Sequence, residues 1–432
     1  MTGTKQVLSL LRAYESRNIT FIEPDGSWPI VWDRARGANV WDVEGKKYLD
    51  LTAAFGVAAA GHANPRVVRA GQRQMEKLLH AMGDVHPHAL KAQLARELSR
   101  ITFERWTNRK PITGKTIFCN SGFEAVEAAL KTTILATGKR GVISFEGGYH
   151  GLGYGALNAT HREHFRGPFL SQLGGFAEFV KFPESPRDLK SIVSEIKRLL
   201  RGQDIGAILV EPIQVRGGIR IPPPKFLPLL RRLCDESGAL LILDEIYTGF
   251  GRTGKWFACE HSRVVPDLIC IGKALTGGFP LSASVGRATL MDRAWPPSTG
   301  EAIHTSTFLG HPVGCAMALA QIAELRRLHL PKRSAQLGDW LLSELRKRIH
   351  HPDFEISFRG LGLTIGVELC LPEKVPASIA ALGVIKEMLA RGFILLPEGP
   401  HANIISFTPP LTITRPQLAT AVAALQKVIQ RR

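Results

Sequence analysis

No stretch of the 432 residues approaches the roughly 18–20 apolar residues that a membrane span requires, so no membrane association is expected. The N-terminus lacks a signal peptide's apolar block and small-residue cleavage site, which makes the cytoplasm the expected compartment. Six cysteines, at positions 119, 234, 259, 270, 315 and 370, include no C-x-x-C pair. That argues against a zinc site or a disulfide framework and fits reduced thiols. None of the 14 histidines falls in an H-E-x-x-H pattern, and no metal is expected. Repeats, low-complexity tracts and flexible linkers are also missing.

Positive charge is in surplus. Lys and Arg number 55 against 38 Asp and Glu, a net charge of +17. The basic groups are short, such as Arg326-Arg327 and Arg346-Lys347-Arg348, and alternate with apolar residues as solvated helix faces do. No nucleic-acid partner is expected; a positive field drawing in an anionic cofactor and anionic substrates fits better. Apolar residues at 44% and charged residues at 22% are ordinary for a globular enzyme.

Through the middle of the chain, strand-like runs alternate with helix-length amphipathic runs. Strands are expected at 116–119, 142–145, 205–210, 239–243 and 268–271, with helices at 124–136 and from near Pro224. This alternation predicts an α/β fold with a mainly parallel sheet covered on both faces. From about residue 330 the texture changes to long amphipathic helices with a few strands, among them 364–369 and 404–407, and a last helix from Arg415. The expected division is a segment 1–60 that joins the small domain and lines the substrate entrance, a large domain 61–329, and a small α+β domain 330–432.

Ligands of α/β sheets sit beyond the carboxyl ends of strands, and four such places carry chemistry. Asn120-Ser121-Gly122-Phe123-Glu124 joins a strand to a helix; Ser121 with Glu124 forms a capping box, and the helix start offers N–H groups to an anion. An ordinary helix cap would read the same way. Gly147-Gly148-Tyr149-His150-Gly151 allows close backbone approach and an aromatic stacking face, or is a plain turn. In LLILDEIYTGFGRTG an acidic pair follows a buried strand, where a carboxylate needs a partner such as a protonated pyridine nitrogen. In IGKALTGG, Lys273 follows the next strand, where desolvation can free its amine to act as a nucleophile. Two decoys are set aside. Gly249–Lys255 matches a P-loop but has Trp256 where a Ser or Thr is required, and the glycines at 151–155 imitate a dinucleotide fingerprint with no amphipathic helix expected after them.

Over nearly its whole length the sequence resembles the class III (ω-type) aminotransferases of pyridoxal-phosphate fold type I. LDEIYTGFGRTG followed by IGKALTGG carries most of the likeness, with HTSTFLGHP and FTPPLTIT in support. The resemblance implies a large domain with a mainly parallel, seven-stranded-type sheet and a smaller α+β domain drawn from both termini. It implies pyridoxal 5′-phosphate as cofactor, joined to Lys273 as an imine, with Asp244 facing the ring nitrogen. Ser121, Gly122 and Phe123 would bind the phosphate; Tyr149 would stack on the ring, with His150, Glu211, Gln214 and Glu245 near it. Thr307 would reach the phosphate of a second subunit, implying a homodimer with shared active sites, or a tetramer built from it. The implied partners are a small amino donor and an oxo-acid acceptor in a ping-pong cycle. A racemase, epimerase or aminomutase on the same scaffold would need the same lysine and aspartate.

The sequence departs from subgroups that act on ornithine, acetylornithine or 4-aminobutyrate. Leu152 stands where those carry arginine, Arg216 where they carry glutamate, and Ser406 where they carry arginine. In that resemblance the last two form a Glu–Arg switch. Arg216 is therefore expected to dock a substrate carboxylate, with Ser406 leaving room; the competing reading pairs Arg216 with an acid elsewhere. Tyr247 replaces a common glutamine, either narrowing the pocket, bonding the cofactor or merely packing, and His311 replaces a common asparagine. Phe55 is expected at the substrate entrance.

Overall fold

The computed structural model describes residues 3–107, 112–202 and 204–432. Near the N-terminus, β1 (Trp32–Arg36), β2 (Asn39–Asp42) and β3 (Lys47–Asp50) form an antiparallel meander. The seven strands of the central sheet follow: β4 (Gly114–Cys119), β5 (Gly141–Phe145), β6 (Ala177–Val180), β7 (Ile205–Val210), β8 (Leu240–Asp244), β9 (Leu268–Ile271) and β10 (Ser282–Arg287). Their order is β4-β10-β9-β8-β7-β5-β6. β10 runs antiparallel to both neighbours, and the pairs from β9 to β6 are parallel.

The apolar runs of β7, β8 and β9 are unbroken because both faces are covered. Alternate residues enter two separate cores: Ile208, Val210, Leu241, Leu243, Ile269 and Ile271 on one side, Ala207, Leu209, Leu240, Ile242, Leu268 and Cys270 on the other. The helix Gly122–Thr137 covers the second face with Ala125, Val126, Ala128 and Ala129, small side chains that let it lie close to the sheet. Helices at Leu189–Gly202 and Phe226–Ser237 bury their apolar stripes in the first core.

Toward the C-terminus, β11 (Glu355–Gly360), β12 (Ile365–Leu371) and β13 (Val375–Pro376) form an antiparallel group. β14 (Phe393–Ile394) leaves that group and pairs parallel with β3, Phe393 opposite Leu49. β15 (Leu396–Glu398) and β16 (Ile404–Phe407) complete the sheet beside β12. Both ends of the chain therefore share one sheet. The structure adds one element to the sequence-based expectation at the decoy glycines: a six-residue helix, Tyr154–Ala159, does follow, and four of its residues are buried. It is too short to present the amphipathic surface of a dinucleotide fold.

Candidate active site

Asp244 ends β8 and Lys273 follows β9, adjacent parallel strands, so their side chains reach one cavity at the carboxyl edge of the sheet. The cavity measures about 400 Å³, and Gly122, Phe123, Tyr149, His150, Leu152, Glu211, Arg216 and Tyr247 also line it. A larger cavity of about 550 Å³, lined by Arg162, Arg220 and Arg359 among others, contains neither Asp244 nor Lys273.

Lys273 has a φ of +24°, a backbone conformation that an L-residue holds only under constraint from its surroundings. The protein mass around Nζ lowers its pKa to about 8, burial being the main cause and Arg216 adding to it, against Asp244, Glu211 and Glu398. A lysine in that range loses its proton far more readily than a solvated one.

The Asp244 carboxylate, almost wholly buried, is held at Oδ2 by His150 Nδ1 at 2.8 Å, and Oδ1 accepts from the Ile246 N–H at 3.1 Å. Its companion Glu245 turns the other way. Thr248 Oγ1 and the N–H groups of Ala258 and Cys259 donate to it, so it anchors the loop that follows rather than lining the cavity. The two acids at the end of β8 are thus separated into a structural one and one facing the cavity.

Glu211 accepts from the Tyr149 N–H at 2.9 Å and fixes the glycine-rich turn. Burial pushes its carboxyl up to about 7, with His150 opposing. Gln214 lies behind that turn, donating to Glu146 O and accepting from Arg220, and does not line the cavity.

At the helix start, the Glu124 carboxylate accepts from the N–H groups of Asn120 and Ser121, at 2.7 Å each. Ser121 Oγ is buried, facing the Glu124 N–H in the capping box, and its own O–H donates to no group among the described residues. A Cβ on Gly122 would lie 3.1 Å from the Ile246 side chain, a tight contact, while one on Gly151, at a φ of +111°, would strike Phe123 at 2.3 Å, so the close approach requires glycine at 151. A desolvated hydroxyl, a helix N-terminus and a bare backbone converge on one corner of the cavity. This is a donor set suited to a phosphate.

Arg216 is not free. Its Nη1 lies 3.1 Å from Glu398 Oε2, and the carboxylate is almost completely buried at the end of β15. Burial pushes the Glu398 carboxyl upward while Arg216 opposes that shift. The guanidinium carbon stands 6.0 Å from the ring centres of both Phe55 and Tyr149. Phe55, half exposed, lines a neighbouring apolar cavity of about 320 Å³ with Trp28 and Leu382, and Arg216 forms the wall between the two. Ser406 is buried, donates to Leu396 O at 3.0 Å and lines neither cavity. Thr307 is exposed and lies outside the cavity of its own chain.

Nothing in the sequence points to Glu398, because no local feature marks an acid in LLPEGPHAN as the partner of an arginine on another loop. A buried charge needs a counter-charge, and only the folded chain shows which one it has.

The model of the aminotransferase class-III family matches residues 22–429. The chain belongs to the class-III aminotransferases. Its reaction is therefore pyridoxal-phosphate-dependent transamination, as the resemblance implied. This aminotransferase is 36% identical over 402 residues to the acetylornithine aminotransferase of Methanosarcina mazei, covering 93% of this chain and 92% of the relative. It is also 36% identical over 442 residues to the putrescine aminotransferase of Pectobacterium atrosepticum, covering 99% and 89%. Among solved structures, the ornithine aminotransferase of Toxoplasma gondii, described with pyridoxal phosphate at partial occupancy in its active site, superimposes with a TM-score of 0.86 at 27% identity, covering 100% of this chain and 95% of that one. The fold is that of these transaminases, and no relative named here is a racemase or aminomutase.

Proposed function

We propose that the cavity between Asp244 and Lys273 is the transamination site and that Lys273 holds pyridoxal 5′-phosphate covalently through Nζ. The observation that carries this is the meeting of a depressed lysine and a partnered carboxylate in one cavity with an anion corner. The bound cofactor would supply an electron-withdrawing ring that stabilises a carbanion at the substrate's reacting carbon. Asp244, oriented by His150, would face the ring nitrogen and keep it protonated. Ser121, Gly122 and Phe123 would hold the phosphate, and Tyr149 would lie against the ring. Lys273, once released by the amino donor, would take the proton from the substrate carbon and return it on the cofactor side.

Borohydride trapping followed by peptide mass spectrometry tests the assignment. The cofactor is expected on the peptide containing Lys273 and on no other lysine. The rate of cofactor capture should fall as pH drops through about 8, because the protonated amine has no free electron pair. Label on another lysine would overturn the assignment.

The acceptor is an oxo acid whose carboxylate binds Arg216, displacing Glu398 from it. A guanidinium already aimed at a carboxylate and bordering the cavity supports this reading. Arg216→Ala should raise KM for oxo acids roughly 10- to 100-fold, the range for losing a charged hydrogen bond. An unchanged KM would return Arg216 to the role of a mere partner for Glu398.

The active form proposed is a homodimer in which Thr307 serves the neighbouring subunit's phosphate. Met82, Val85, Ile303 and Phe308 are exposed apolar side chains, and the two segments that carry them touch through His80 with Phe308 and Thr305 with Asp84. Residues 1–60, at the substrate entrance, and 330–432 would form one small domain against the large domain 61–329. No helix among the described residues is long and apolar enough to cross a membrane. The free cysteines, five of them buried, suit the reducing cytoplasm proposed as its location.

A further inference from the structure

Tyr247 takes no part in the charged pairs of the cavity, yet it touches the amine at its centre. The Lys273 Nζ lies 3.8 Å from the centre of the Tyr247 ring. Among the described residues no hydrogen bond and no ion pair holds Nζ. The ring face is its seat.

That ring is held from two sides. Its hydroxyl meets Thr408 Oγ1 at 3.3 Å, and Thr408 in turn donates to Thr52 O at 3.2 Å, tying the ring to the part of the molecule built from both termini. On its edge, Gly56 makes room: a Cβ there, at a φ of +81°, would stand 2.8 Å from Tyr247 Cε1. Tyr247 is buried, and burial pushes its phenol up to about 12, so it stays neutral wherever the enzyme works.

We propose that Tyr247 is a positioning residue for Lys273, its ring face holding the ammonium whenever Nζ is free of the cofactor and protonated. This rests on Lys273 being the lysine of the reaction. Nζ takes a proton from the substrate carbon and gives a proton back, so it passes through a cationic state in a site that disfavours cations. A ring quadrupole stabilises that cation without a negative charge that would compete for the proton. An aliphatic side chain would remove that contact and leave only the carboxylates of the cavity to offset the burial of the ammonium.

The charged groups facing Nζ are Asp244 at the end of β8, Glu211 after β7, Glu398 on β15 and Arg216 on the loop after β7. None of them changes in a Tyr247 variant, so a difference between variants isolates the ring.

The test follows acetylation of Lys273 by acetic anhydride across pH in the full chain freed of cofactor, read by peptide mass spectrometry. Tyr247→Phe keeps the ring and should leave the apparent pKa of Lys273 near the wild-type value. Tyr247→Leu should lower it by about one unit, which speeds labelling below the pKa about tenfold. Should the leucine variant fail to fold, Tyr247→Met fills the space with a flexible side chain and is expected to behave alike. A pKa unmoved in the non-aromatic variant would overturn the proposal. So would a phenylalanine variant shifted as far as leucine, since the hydroxyl tether and not the ring would then be responsible. Because the assay needs no cofactor, its outcome is independent of borohydride trapping, which decides the role of Lys273 itself.

Discussion

Lys273→Ala is expected to lower turnover by about four orders of magnitude, the upper end of the range for removing a general acid–base group. The loss should appear in each half-reaction, since the same amine would serve both directions of the cycle. Folding should survive. Burial already disfavours the charge on Nζ, and the side chain forms no ion pair that its removal would orphan. The truncation enlarges a cavity that is open to ligand, so little packing is lost. Stopped-flow measurement of the amino-donor half-reaction, alongside a thermal melt, checks both statements. A folded alanine variant that turns over within tenfold of wild type would remove Lys273 from the chemistry.

Asp244→Asn is expected to slow the same half-reaction by about 10²- to 10³-fold, the scale of losing one preorganised electrostatic contact. The amide oxygen introduced by this substitution can accept from the Ile246 N–H while its NH2 donates to His150 Nδ1 in the tautomer that leaves that nitrogen bare, so the side chain should remain oriented and the fold intact. What disappears is the negative charge. Asp244 is the foremost of the carboxylates that hold the Lys273 pKa up, and without it the lysine should shed its proton more easily still. Cofactor capture at neutral pH should therefore be as fast as in wild type or faster, while turnover falls. That split separates loss of ring activation from a damaged site. A variant slow in both measurements would place Asp244 in structure and not in catalysis.

The central strands are legible in the sequence because burial on both faces leaves an unambiguous apolar signature. Ile205–Val210, Leu268–Ile271 and Ile404–Phe407 fall where the apolar runs predict them. β10 is not legible, because SASVGR is made largely of small and polar residues and its burial comes from neighbours on both sides, not from its own hydrophobicity. Lys273 and Asp244 can be found because strand ends are predictable positions and the chemistry demands those residue types. The Arg216–Glu398 pair and the Tyr247–Gly56 contact cannot, because each joins segments far apart in the chain: Arg216 and Tyr247 stand out as replacements, but nothing marks Glu398 or Gly56 as what they meet. The two carboxylates at the end of β8 are a third kind of case. The sequence shows that both need partners, but only the fold reveals that His150 serves one and backbone N–H groups the other.

The parallel pairing of Phe393 with Leu49 bears on how the molecule is made. During synthesis the N-terminal meander emerges early, with Val40 and Tyr48 lacking the Leu389 and Ile394 that cover them in the finished protein. Those covering residues leave the ribosome near the end of translation, so the hairpin waits unprotected while the large sheet assembles. Completion of the N-terminal sheet should be a late event, and truncation before residue 393 should yield a chain prone to aggregate even though every residue of the central sheet is present.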